Sequence, residues 1–133
     1  MIDDEILEIL QGAVGDAVTA SIFSNLPIRY VGRSWEVPND QKWLELVFIP
    51  NNENAAWGNE VNYRGVFRLI LHWPNNDAGA LTPLGVLRSI AGYFSKDRWL
   101  QKVKINDTPK LTGVLEEGSE LLFPASIRYQ CFQ

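Results

Sequence analysis

The sequence is poor in the side chains that carry most protein chemistry: in 133 residues it has one cysteine, Cys131, one histidine, His72, and one methionine. A single cysteine excludes an internal disulfide, and one cysteine with one histidine cannot assemble the paired-ligand patterns of a structural zinc site. No apolar run approaches the roughly 20 residues of a membrane-spanning helix. The opening Met1-Ile2-Asp3-Asp4-Glu5 is acidic where a secretory leader begins basic. Positive charge is scarce as well. Lys and Arg number 12 against 16 Asp and Glu, for a net charge of −4, the wrong sign for a protein that tracks a phosphate backbone. The expectation is no bound metal or cofactor, no membrane, no direct nucleic-acid readout and a reducing cytoplasm. Asn106-Asp107-Thr108 fits the glycosylation acceptor pattern, but a three-residue match arises by chance.

What is present is ordinary globular material, 46 % apolar and 21 % charged. A chain of this length folds as one domain, 1–133, burying about 68 % of its extended surface. From Asp4 to Ser24, Ile6, Leu10, Ala13, Ala17 and Ala20 recur at helical steps, with Ile2, Ile9, Val14 and Ile22 widening the stripe. Asp3 or Asp4 is placed to cap that helix. Leu26 to Val31 predicts a short strand, and Trp43 to Pro50 a stronger one, with Leu44, Leu46 and Phe48 on one face and Glu45 on the less buried side. A polar, turn-rich loop leads to a strand from about Val61 to Trp73. Its core face carries Phe67, Leu69, Leu71 and Trp73, and its mixed face Arg64, Arg68 and His72. Thr82-Pro83 predicts the start of a second helix that runs to Phe94. Val103 to Asn106, Leu111 to Leu115 and Leu121 to Phe132 read as strands, separated by turns that include Glu116-Glu117-Gly118-Ser119. This order predicts an α+β fold: a mostly antiparallel or mixed sheet of five to six strands with both helices on one face.

Residues that could carry chemistry are few. His72 is the sole imidazole, no Gly-x-Ser-x-Gly elbow presents a serine, and a partly exposed surface histidine is the expectation. Cys131 lies on the apolar face of the last strand and reads as a small buried hydrophobe. Asp3/Asp4, Asp4/Glu5 and Glu116/Glu117 are sequence neighbours, whereas paired acid and base catalysis needs two carboxyls in contrasting environments. Gly12-Ala13-Val14-Gly15 falls inside a helix pattern rather than after a strand, which excludes a phosphate loop. Arg64-Gly65-Val66-Phe67-Arg68 misses the register of an RNA-recognition strand, so Arg64 and Arg68 are candidates for cross-strand or intersubunit ion pairs. Trp35 and Trp57 sit in polar loops, and Trp57, in mid-hairpin among asparagines, is the better interface candidate of the two.

In layout the chain resembles the tail-terminator, or tail-completion, proteins of long-tailed bacteriophages. The likeness lies in the N-terminal helix, Leu26-Pro27-Ile28, the aromatic-led strand Trp43 to Pro50 and the Gly58-containing loop. It continues through Tyr63 to Leu71, the Trp73-Pro74 turn, the second helix ending at Phe94 and Phe123-Pro124-Ala125-Ser126-Ile127-Arg128-Tyr129. It consists of hydrophobic rhythm and turn residues. The resemblance implies a non-enzymatic structural protein that forms a homohexameric ring on the end of the tail tube, stops its polymerisation and offers a surface for head joining. The implied partners are further copies of the chain, the major tail tube protein and a head-completion or connector protein. The implied location is the head-proximal tail of the virion, after assembly in the host cytoplasm. A ring needs two different, complementary patches on each subunit, and Arg64 and Arg68 facing Glu116 and Glu117 are the candidates. The competing reading is a monomeric small-ligand-binding or accessory α+β domain with its site around Arg64, Arg68 and His72. A hydrolase is a third reading, with few candidate groups.

Overall fold

The computed structural model describes residues 2–54, 61–75 and 79–131. The first helix, α1 (Ile2–Thr19), buries Ile2, Ile6, Leu10, Ala13, Val14, Ala17 and Val18 along one stripe. Asp3, Asp4 and Glu5 lie inside its first turn, where negative charge complements the helix dipole. Asp3 does not cap the helix: its carboxylate accepts from Asn52 Nδ2 at 2.9 and 3.2 Å. The helix also stops short of Ser24. After Thr19 the chain turns, with Ala20 N still donating to Asp16 O, and Ile22, expected on the apolar stripe, is 73 % exposed.

The strands follow as β1 (Ile28–Arg29), β2 (Trp43–Pro50), β3 (Glu53–Asn54) and β4 (Val61–Pro74). The second helix, α2 (Leu81–Ala91), runs into a 3₁₀ turn, Gly92–Phe94. It starts one residue before Thr82, behind Ala80, with no side-chain cap. Pro83 therefore sits in the first turn, where its missing N–H costs nothing because those donors have no intrahelical acceptor. Then come β5 (Trp99–Leu100), β6 (Val103–Ile105), β7 (Lys110–Leu111), β8 (Leu115–Glu117) and β9 (Glu120–Cys131).

The main path of the sheet is β1-β2-β4-β9-β6-β5, six strands, with β3 added to β4 and with β7 and β8 added to β9. Pairing is antiparallel except between β1 and β2. This is the expected α+β class, and both helices share one core with one face of the sheet. Alternation decides which residues enter that core. Leu44 and Leu46 of β2, Phe67 to Trp73 at odd positions of β4, and Leu121 to Cys131 at odd positions of β9 all point to the helices and are buried.

Two backbone features shape the sheet. At Gly65, a Cβ would lie 2.7 Å from Tyr129 Oη and 2.9 Å from Pro50 Cα and would overlap the Ile49 carbonyl, so only glycine lets Tyr129 cross there. The second concerns the strand predicted for Leu111 to Leu115, which is split into β7 and β8. Lys110 pairs with Ser126 and Leu111 with Ala125, but Leu115 pairs with Leu122, one residue out of step. The extra residue forms a bulge opposite Pro124, whose carbonyl accepts from Thr112 N at 3.0 Å. Proline has no N–H to return, so continuous pairing fails there. Glu116 and Glu117, expected in a turn, belong to β8; the turn is Gly118-Ser119, with Gly118 at φ +61°.

Candidate functional site

The sheet face opposite the helices carries the even positions of β4 and β9 and the odd positions of β2. Charge is distributed unevenly along it. At one end, Arg64 and Arg68 of β4 lie beside Arg128 of β9, and Lys110 of β7 sits across from Ser126. Arg68 Nε donates to Ser126 Oγ at 3.4 Å. At the other end, Glu45 and Glu120 flank His72, and Glu117 lies across from Glu120. Arg64 and His72 are eight positions apart on one strand, about 27 Å at the strand rise.

His72 is not the partly exposed histidine that its neighbours in sequence predicted. It is 7 % exposed. Its Nε2 lies 2.8 Å from Glu45 Oε1 and its Nδ1 2.6 Å from Glu120 Oε1. Both contacts are hydrogen bonds when each ring nitrogen carries a proton or when one carboxyl does. The ring stacks on Trp43 at 3.7 Å and 6°, and Trp43 in turn meets Trp35 at 5.2 Å. Trp35 thus folds back on its own chain and pins the connection between β1 and β2 to the open face. With both nitrogens held by carboxylates and a ring face covered by indole, His72 is a structural cross-link. The competing ligand site built on Arg64, Arg68 and His72 is not brought together.

The other expected site residues divide. Arg64 and Arg68 share the open face, as alternation predicts. Glu117 pairs with Glu120 and so shares that face, whereas Glu116 pairs with Leu121 and faces the helix side. Both glutamates are exposed and lie at the opposite end from the arginines. Trp57 lies outside the described residues. Arg128 and Lys110 were missed by sequence reasoning. Arg128 was signalled by its even position in the last strand, but Lys110 reaches the patch only through the register of β7 on β9, which no local pattern reveals.

Burial pushes the Cys131 thiol up, away from the reactive thiolate. Burial likewise pushes the Tyr129 phenol up, and its hydroxyl has no hydrogen-bond partner among the described residues. Among those residues no group of three or more His, Cys, Asp or Glu is arranged to hold a metal ion, and no helix is long and apolar enough to cross a membrane.

Comparison with known proteins is decisive for the family. A family model described as "Phage tail terminator protein" matches residues 5–129, from α1 through most of β9 and across both charged ends of the open face. The chain belongs to the phage tail terminator family. Membership gives it a structural role in the tail of the virion, in contact with tail and head components. A solved structure superposes with a TM-score of 0.82 over 98 % of this chain and 96 % of that chain, at 19 % identity. At that identity the likeness speaks for the fold. No curated protein matches the sequence significantly.

Proposed function

We propose that this tail terminator acts without catalysis, as a homohexameric ring of a single domain, 1–133, that caps the head-proximal end of the tail tube. The ring stops tube polymerisation and presents the surface to which a head-completion or connector protein docks. It assembles in the host cytoplasm from subunits that meet the major tail tube protein. Closure of a ring requires one patch of each subunit to meet a different patch of the next. The observation that carries this reading is the open sheet face, basic at the Arg64 and Arg68 end and acidic at the Glu117 end. In the ring, Arg64 and Arg68 of one subunit face Glu117, with Glu116 beside it at the edge, on its neighbour; Trp57 is assigned to the same contact. Complementary potentials of this kind set register and reject wrong partners. Native mass spectrometry of the full chain, alone and with the purified tail tube protein, tests the reading. A closed six-subunit species that blocks further tube growth is expected. A chain that stays monomeric on the tube and leaves tube length unregulated contradicts it.

A further inference from the structure

At the basic end of the open face the strand register places three cations around one hydroxyl. Arg68 of β4, Ser126 of β9 and Lys110 of β7 are cross-strand neighbours in a single row, and Arg128 is the next residue of β9 on the same face. They line a cleft of about 220 Å³ together with Thr108 and Asp107. Among the described residues Arg68, Lys110 and Arg128 form no ion pair, with Asp107 or with any other carboxylate. Side chains of like charge held side by side on adjacent strands repel one another, and three cations against the one carboxylate of Asp107 leave the cleft a surplus of positive charge. Ser126 Oγ already accepts from Arg68 Nε, so its proton is left to donate outward. Guanidinium forks match the two oxygens of a planar or tetrahedral oxyanion, and an ammonium beside them adds a point charge.

We infer that this cleft is a binding site for one small oxyanion, a carboxylate or phosphate group held by Arg68, Arg128, Lys110 and the Ser126 hydroxyl. The group comes either from an acidic side chain of the neighbouring subunit or from solution. The site extends beyond the charge pairing of the proposed ring, because Lys110, Arg128 and Ser126 have no part in that pairing and the cleft is complete within one chain.

The test is a titration of inorganic phosphate, at constant ionic strength, into the ¹⁵N-labelled full chain while the Nε–Hε signals of Arg68 and Arg128 are followed. Saturable shifts are expected, with the affinity reduced about tenfold in Arg128→Gln, as the loss of one charge-assisted hydrogen bond implies. Arg128 is exposed, and an unchanged far-UV circular dichroism spectrum shows that the variant is folded. Shifts that rise linearly without saturation, or that are identical in Arg128→Gln, overturn the site. Native mass spectrometry then distinguishes the sources. If phosphate disperses the ring and Arg128→Gln weakens it, the ligand is the neighbour's carboxylate; if neither changes the ring, it is a free anion. A wild-type chain that forms no ring counts against the ring alone and leaves the titration to decide the cleft.

Discussion

The two faces of the sheet are made from the same strands by simple alternation, yet they answer to different physics. Toward the helices lie side chains such as Phe67, Leu69, Phe123 and Ile127, all fully buried. Toward the outside, neighbouring positions of the same strands carry Arg64, Arg68, Arg128 and Gln130. Stability should therefore be concentrated on one face and assembly on the other, so that substitutions separate the two properties cleanly.

The largest effect is expected on the helix side. Phe67→Ala empties a fully buried site between β4 and the helices and should lower unfolding free energy by about 3–5 kcal/mol. Arg64→Glu with Arg68→Glu, half-buried on the other face of the same strand, should cost far less, about 1 kcal/mol each. Denaturant unfolding of the two variants side by side checks the contrast. Gly65→Ala comes next, because the added methyl meets backbone at Ile49 and Pro50 as well as Tyr129 Oη, and such overpacking costs about 1–3 kcal/mol.

His72 blurs the division, since it lies on the open face and is nevertheless buried. His72→Ala should cost about 1–3 kcal/mol by removing the hydrogen-bond partner of both Glu45 and Glu120. It should also uncover the face of Trp43 on which the imidazole stacks, read as a red shift in tryptophan emission.

Tyr129→Phe removes a buried hydroxyl that has no partner among the described residues and should be neutral or slightly stabilising. The phenol is raised by burial, so the folded state holds its proton more tightly than the unfolded state. Wild-type stability should fall as the pH rises above 10.0, and this alkaline loss should diminish in the phenylalanine variant. The smallest effect belongs to the exposed Glu5–Lys102 pair. Hydrogen bonding to Lys102 lowers the Glu5 carboxyl below 4.5, so what the pair contributes is present above that pH and disappears as acid protonates Glu5. Glu5→Gln should leave thermal unfolding at neutral pH nearly unchanged.

Much of this contrast was legible in the sequence because it depends on a period of two. The core faces of β2, β4 and β9, the placement of Arg64 and Arg68 on the other face, and the two helices all follow from local spacing. What was not legible depends on register between distant segments. The burial of His72 follows from Glu120 and Glu45 being brought alongside it, and the basic cleft from Lys110 being set opposite Ser126. The division of one predicted strand into β7 and β8 needed the knowledge that Pro124 lies opposite it. The first helix ends earlier than its apolar spacing predicts: after Thr19 the chain turns, and Phe23 and Leu26 join the core from irregular backbone, Phe23 against Trp73, while Ile22 is left exposed.

The most direct test is the subunit count of the full chain by native mass spectrometry, wild type against Arg64→Glu/Arg68→Glu, with each variant's unfolding free energy measured in parallel. A six-subunit wild type and a monomeric charge-reversed variant that is still folded, with assembly restored on mixing it with Glu117→Arg chains, are the predicted result. Undiminished assembly of the charge-reversed variant would show that the open face does not join the subunits.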